Sequence, residues 1–328
     1  MGACCATSED HNRGEDIIEP NSQDRKAVSN YIVESKEDLA HSHHINHFPS
    51  ESVAQILDSN HMNAKVNVYS TFPAFSFARC NQNTHDEALP TLGPMKYSQN
   101  ETYMGQYNQG KRHGKGTQVW ADGSVYEGMW SNDQCNGRGR LIHSDGGCYI
   151  GDWKDDKANG MGTFTDMEGV KFIGSWKDDK REGNGSETFP DGSKYNGAYH
   201  NGIKHGQGEF FWNDGSKYVG EFANNEINGK GSYSWTDGRE YDGDWVKNKM
   251  EGTGTFTWKD GRKYIGSYLN DKKDGYGEFF WPAKAGEQQG KVYKGLWKDG
   301  KQHGAGELTK SEIDPPIKGT WANGSRIA

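Results

Sequence analysis

The chain has 328 residues, of which only 32 % are hydrophobic and 45 are glycine, and its mean hydropathy is −1.02. That is too little apolar material for a thick two-layer core of this length, although 12 % of the residues are aromatic. Charge is uneven: residues 1–92 hold 13 acidic and 6 basic side chains, and residues 93–328 hold 33 and 32, which excludes a basic stripe of the nucleic-acid-binding kind. No apolar run is long enough for a transmembrane helix. The five cysteines (Cys4, Cys5, Cys80, Cys135 and Cys148) follow neither metal nor disulfide spacing and suggest a reducing, intracellular setting.

The first ten residues carry the sharpest single motif. Gly2 follows the initiator Met, with Ala3, Cys4, Cys5 and Ala6 behind it. This resembles an N-myristoylation signal beside palmitoylation cysteines, with Ala6 where Ser or Thr usually stands and Thr7 one step later. One myristoyl chain anchors only marginally, so a second signal is needed. Glu9, Asp10, Glu15, Asp16 and Glu19 stand against Arg13 alone, so a polybasic patch is not that signal. Gly2, Cys4 and Cys5 are therefore the lipidation candidates; the competing reading is a chance Met-Gly start on a disordered tail.

Residues 1–65 read as an acidic, mostly disordered tail. Within them, Ala27 to Leu39 and Ser52 to Leu57 can form short helices. His43 and His47 would stand one helical turn apart, but a short His tract is only a compositional signal, and the run reads as a solvated linker with no metal site. Residues 66–92 read as an N-terminal cap on the array that follows, because a terminal repeat needs its edge covered.

From there a 23-residue period governs the sequence. An aromatic recurs at Tyr103, Tyr126, Tyr149, Phe172, Tyr195, Tyr218, Tyr241 and Tyr264, then at Tyr293 after a six-residue insertion, with a truncated copy at Ile317. Such self-similarity points to an array. Two residues on there is always Gly, and two further on an aromatic column: Tyr107, Trp130, Trp153, Trp176, Tyr199, Phe222, Trp245, Tyr268, Trp297 and Trp321. Spacing of two puts all three on one face of a strand, with the Gly leaving a gap for a neighbouring ring. A polar run and a G-x-G pair follow in each of the nine full repeats, then a second alternating strand and, in the first seven, an acidic-Gly dipeptide such as Asp122-Gly123 or Asp260-Gly261. The dipeptide predicts a tight hairpin turn. One repeat is thus strand, polar loop, strand, tight turn. Counting backwards, Gly93–Thr102 reads as a half repeat feeding the first full unit. In the second strand, Trp120, His143, Asp166, Phe189, Trp212, Trp235, Trp258 and Trp281 share one position, which predicts an aromatic strip interrupted by a polar stretch.

These residues resemble the MORN (membrane occupation and recognition nexus) repeat family, whose pattern is Y-x-G-x-W-x-x-G-x-x-H-G-x-G followed by a D-G turn. Tyr195–Gly208 and Tyr293–Gly306 follow it closely, and the resemblance covers residues 93–324. The family His is present only at His113, His205 and His303, which suggests a loop position, not a catalytic one. The resemblance implies an all-β fold: an elongated, single-layer antiparallel β-meander of about ten hairpin repeats, on the order of 90–100 Å long at about 4.8 Å per strand.

It also implies scaffolds that link membranes to cytoskeleton, sit in ciliary axonemes or the cell cortex, or regulate a separate enzyme, and that self-associate through terminal repeats. Three functions follow. The first is a non-enzymatic scaffold tethered by acyl chains to the cytoplasmic side of a plasma or ciliary membrane, binding protein partners along its aromatic face; Trp212, Trp235, Trp258 and Trp281 are the partner-binding candidates. The second is a structural component of an axoneme or cortical cytoskeleton without lipid. The third is a lipid-binding or regulatory subunit for an enzyme such as a phosphoinositide kinase, for which the array's charge balance provides little headgroup attraction. No catalytic constellation, cofactor fingerprint or metal site stands out: the G-x-G pairs lie between strands, without the helix a phosphate cradle needs.

Overall fold

The computed structural model describes residues 74–80, 89–98, 101–283, 290–310 and 315–328. Gly2, Cys4, Cys5, the His43–His47 run and the two short N-terminal helices lie outside the described residues. Those described contain 21 strands and no α-helix. They fall into two compact units, residues 74–213 and residues 214–328.

The first unit holds β1 (Thr91–Ser98), β2 (Glu101–Asn108), β3 (Lys111–Val119), β4 (Val125–Ser131), β5 (Gln134–Ile142), β6 (Cys148–Lys154), β7 (Lys157–Thr165), β8 (Lys171–Lys177), β9 (Lys180–Thr188), β10 (Lys194–His200) and β11 (Ile203–Phe211). The second holds β12 (Lys217–Ala223), β13 (Glu226–Ser234), β14 (Glu240–Val246), β15 (Lys249–Thr257), β16 (Lys263–Leu269), β17 (Lys272–Trp281), β18 (Lys291–Lys298), β19 (Lys301–Thr309), β20 (Ile317–Ala322) and β21 (Ser325–Arg326). Within each unit every strand pairs antiparallel with the next in chain order, so each is an open meander.

The repeating aromatic makes its own core. In the first full repeat Gly105 and Gly116 face each other across β2 and β3, and the Tyr103 ring lies over both of them. The neighbouring ring that fills the gap is therefore the repeat's own tyrosine, two residues earlier. The side chain runs along its strand, and its hydroxyl donates to the Gln106 carbonyl at 3.0 Å. Tyr126, Tyr149, Tyr195, Tyr218, Tyr241, Tyr264 and Tyr293 repeat that bond to the carbonyl three residues on. These tyrosines are at most 3 % exposed, and burying each such ring stabilises by about 1.5–3 kcal/mol.

The carbonyl that accepts this hydroxyl belongs to a bulge. Between the pairs Gly105↔Gly116 and Tyr107↔Arg112, one residue of β2 opposes three of β3. The first glycine of the G-x-G pair sits in that bulge with a left-handed backbone, φ 66° at Gly114, and only the second lies under the ring. The two glycines have different reasons to be glycine: positive φ for one, close approach for the other.

The connections are the reverse of the sequence expectation. The polar run is the tight turn, and both of its central residues are left-handed, as with Asn132 at 51° and Asp133 at 71°. That is the turn whose twist suits a two-residue hairpin, and Asn, Asp and Gly tolerate it best. The Asp-Gly dipeptide instead closes a longer connection. In Trp120–Ser124 the Gly123 N–H bonds the Trp120 carbonyl and the Trp120 N–H bonds the Ser124 carbonyl; only Gly123 has positive φ, 95°. Asp122 is there for its carboxylate, which accepts the Ser124 N–H at 2.8 Å. Asp191, Asp214, Asp237 and Asp260 do the same.

Within each unit the second residue of a tight turn also joins its repeat to the full repeat before it. Asp133 Oδ1 accepts the Arg112 N–H at 2.8 Å, and the Asp133 N–H returns a bond to the Arg112 carbonyl at 3.0 Å. The pairs Asp156–Cys135, Asp179–Ala158, Asn248–Ile227 and Asp271–Met250 repeat this staple. Where the turn residue is Gly202, Gly300 or Gly324, only the backbone half survives.

At the N-terminal side, β1 occupies the half repeat, with Met95 opposite Tyr103 as the period requires. Leu92, not Gly93, faces Gly105, and the register shifts between Leu92 and Met95; Pro94, which has no N–H to give the ladder, lies in that interval. Residues 74–80 run against β5 on the face away from the tyrosines: Phe75 lies beside the Arg140 guanidinium, and the Cys80 thiol donates to the Arg138 carbonyl at 3.6 Å.

A methyl group at Gly243 would meet the Tyr241 hydroxyl at 2.5 Å and the Gly254 Cα at 2.6 Å, whereas one at Gly93 would meet nothing within 4 Å. Gly243→Ala should lower stability by about 2 kcal/mol or more, and Gly93→Ala should leave it nearly unchanged, as read by thermal melting of the full chain.

Candidate functional site

The face that carries the tyrosines also carries the column aromatics, and the two sets interlock edge to face. In the first unit Tyr103 meets Tyr107 at 5.2 Å and Trp130 at 5.4 Å; Tyr126 meets Trp130 at 5.1 Å and Trp153 at 5.3 Å; Tyr149 meets Trp153 and Trp176, each at 5.2 Å. Phe172 and Tyr195 carry the series to Tyr199. In the second unit the same alternation runs from Tyr218 and Phe222 through Trp245, Tyr268 and Trp297 to Trp321. Interplanar angles of 74–90° show ring edges aimed at ring faces, worth about 0.5–1.5 kcal/mol per pair beyond burial. Trp130, Trp153, Trp245, Tyr268 and Trp297 each touch the tyrosine of their own repeat and that of the repeat before.

The second-strand tryptophans form a separate row. In the second unit Trp235 lies 5.3 Å from Phe256, Phe256 4.5 Å from Trp258, Trp258 5.3 Å from Phe279 and Phe279 4.4 Å from Trp281. Trp235 is buried, and Trp258 and Trp281 are partly exposed. In the first unit Trp212 is buried against Phe210 at 4.6 Å. The polar interruption at Asp166 is built into a turn: its carboxylate accepts the Val170 N–H at 2.8 Å, and burial raises its pKa above the ordinary carboxylate value.

The sequence reading missed that cations are inserted among these rings. Arg112, Arg181, Lys204 and Lys273 occupy one repeat position, opposite the column aromatic. Arg112 stacks on Trp130 with 4.2 Å from its guanidinium carbon to the ring centre. Lys204 is buried and pairs with Glu187 at 2.5 Å; Glu187 also takes Arg181 at 2.5 Å and the Tyr199 hydroxyl at 3.1 Å. Burial pushes the Glu187 pKa up, but Lys204 and Arg181 outweigh it and hold the carboxyl below its ordinary value. Glu187 stands where other repeats have Phe164, Phe210 or Phe256, so one acid and two bases replace a ring there.

Lys273 differs in that, among the described residues, no carboxylate pairs with it. Its amine lies 4.7–5.2 Å from the centres of four rings, those of Phe279, Trp258, Trp297 and Tyr264. Burial, with Arg262 adding like-charge repulsion, lowers its pKa to about 7. The ring faces offset part of the cost of holding an ammonium there.

Nine segments of the chain match the MORN repeat: 103–125, 126–148, 149–169, 172–194, 195–217, 218–238, 241–261, 264–284 and 293–311. The chain belongs to the MORN-repeat family. No curated protein matches it. Solved structures similar to parts of this MORN array include the TCP domain of Sas-4 from Drosophila melanogaster in complex with a proline-rich motif, at 13 % identity over 47 % of this chain and 85 % of that one, with a TM-score of 0.31. The G-box domain of CPAP matches at 15 % identity over 64 % and 99 %, with a TM-score of 0.32. The TCP10 domain of Danio rerio CPAP matches at 14 % identity over 62 % and 89 %, with a TM-score of 0.33. Likeness at this level carries no argument about function.

Two predictions follow from the inserted charges. Glu187→Gln leaves Lys204 and Arg181 without their anion and should cost about 3–5 kcal/mol, read by thermal melting. For Lys273, the unfolded chain holds a proton that the folded chain lacks between pH about 7 and the ordinary lysine value of 10.5. Stability from this group therefore rises with pH across that window, and its full cost is felt below it. Lys273→Met should stabilise the protein at pH 7 and remove that part of the rise, measured as the difference between the two denaturation curves from pH 7.5 to 9.5.

Proposed function

We propose that this MORN protein is a non-enzymatic scaffold held at the cytoplasmic side of a membrane by acyl groups on Gly2 and on Cys4 or Cys5, and that its aromatic face binds protein partners. The observation that carries the binding role is the tryptophan row of the second unit, in which large rings that could all have been buried leave Trp258 and Trp281 partly exposed. Trp and Tyr on a rigid surface bury much area at low entropic cost when a partner docks. The Met-Gly-Ala-Cys-Cys start supports the tether. In this reading residues 1–65 are the acidic tether, 66–92 the cap and 93–324 the array, with terminal repeats open to self-association.

The test is membrane fractionation in a eukaryotic cell of the intact chain, Gly2→Ala and Cys4→Ser/Cys5→Ser, with chemical crosslinking of the membrane fraction. The intact chain should pellet with membranes and both variants should turn soluble. Trp258→Ala/Trp281→Ala should stay at the membrane and lose crosslinked partners. Equal partition of all three chains would sink the tether: a shared soluble result leaves a free scaffold, and a shared detergent-resistant pellet leaves an axonemal or cortical component. Crosslinks that survive loss of both tryptophans would remove the row from the binding surface.

A further inference from the structure

Four repeats insert a cation of their own among the rings: Arg112 lies 4.2 Å from the Trp130 ring centre, Arg181 4.8 Å from Phe172, Lys204 5.2 Å from Tyr195 and Lys273 4.7 Å from Phe279. The fold thus shows four times which chemical group suits this face. In the second repeat the same position is Cys135, which is short and buried. Beside it is a cavity of about 320 Å3, walled by Trp120, Tyr126, Trp130, Leu141 and Trp153 as well as Cys135. Ligand cavities begin at roughly 300 Å3, so this one has room for a single long side chain.

The polar lining fixes the sign of the charge. It consists of Arg112, Asp133 and Asp156. Arg112 and Asp133 neutralise each other at 3.3 Å. Asp156 accepts the Cys135 N–H at 2.7 Å through Oδ1; its side chain is exposed, and none of the ion pairs among the described residues includes it. The cavity therefore has one uncompensated negative charge. One ring of its wall also differs from its equivalents. Trp130, Trp176, Trp245 and Trp297 give their indole N–H to a glycine carbonyl, but Trp153, only 7 % exposed, has no acceptor for its own among the described residues.

We infer that this cavity receives an arginine or lysine side chain of a protein partner. Trp120, Tyr126 and Trp153 surround its cationic head, beside the Arg112 that already stacks on Trp130. Asp156 balances the charge. A planar guanidinium stacks on such rings better than an ammonium, so arginine should bind more tightly than lysine. The inference rests on the reading of the array as a protein-binding scaffold and adds the chemistry of the partner's anchor.

The probe is acetyl-Gly-Gly-Arg-Gly-Gly-amide, titrated into the full chain with 15N-labelled tryptophan, beside the same peptide with neutral citrulline in place of arginine. The readout is the Trp153 indole resonance, identified through Trp153→Phe. The arginine peptide should shift it with a Kd on the order of 1 mM, and the citrulline peptide should not. Asp156→Asn keeps the staple, because Asn248 makes the same bond to the Ile227 N–H at 2.8 Å; it should weaken binding about fivefold. Cys135→Arg supplies the chain's own cation and should abolish the shift, with the Trp245 and Trp297 indole resonances unmoved as the check on folding. No shift at ten times the expected Kd overturns the inference, as does equal binding of the citrulline peptide or undiminished binding by either substituted chain. Each of these failures leaves the scaffold reading intact, since that stands or falls on Trp258, Trp281 and the crosslinked partners.

Discussion

A tyrosine ring can lie flat on a β-sheet only where two facing residues have no side chain. The structure depends on that condition. The Gly-Gly pair between the strands of each full repeat opens the space, the ring fills it, and where that ring is a tyrosine its hydroxyl satisfies a carbonyl at the adjacent bulge. A core is thereby made within a single sheet layer, without a second layer to pack against. The low apolar content of the chain ceases to be a puzzle: each repeat needs two rings and two glycines where an ordinary domain needs a cluster of aliphatic side chains. Column residues such as Trp153 and Trp245 then tie each ring to its neighbour, so the core continues from one repeat to the next within each unit.

Polar residues in this arrangement do work that is specific to their position. The aspartate before each connection glycine closes its turn with a carboxylate bond to the backbone. The aspartate or asparagine at the second position of each tight turn tolerates a left-handed backbone and holds the preceding repeat. The basic residues at 112, 181, 204 and 273 lay their charge among rings. Glu187 shows the limit of this tolerance: where an acid replaces a ring, two bases and a tyrosine hydroxyl gather around it.

Much of the fold was legible in the sequence because the period is strict and glycine leaves a sharp mark. Strand positions, the shared face of the aromatics and the half repeat before Tyr103 all follow from spacing. The turns were assigned the wrong way round for a physical reason. Asp-Gly is a strong hairpin signal, but here Asp122 and its equivalents act through the side chain, while the left-handed pair hides in dipeptides such as Lys247-Asn248 and Asp155-Asp156 that look merely hydrophilic. The cations among the rings were missed because their column also holds Cys135, Ala158, Ile227 and Met250, and only the backbone pairing shows that all of them stand opposite an aromatic.

The staple between repeats has a direction. The turn that accepts the Arg112 N–H comes from Asp133, in the repeat that follows, and the turn that reaches Met250 comes from Asp271, in the repeat after that one. Within each unit, a repeat followed by another waits for its successor to satisfy its second strand. A chain emerging from the ribosome would thus complete every unit one step late, with the newest hairpin always open. The short hairpin of β20 and β21, whose Gly324 N–H bonds the Gln302 carbonyl, then reads as the piece that lets the ninth full repeat close.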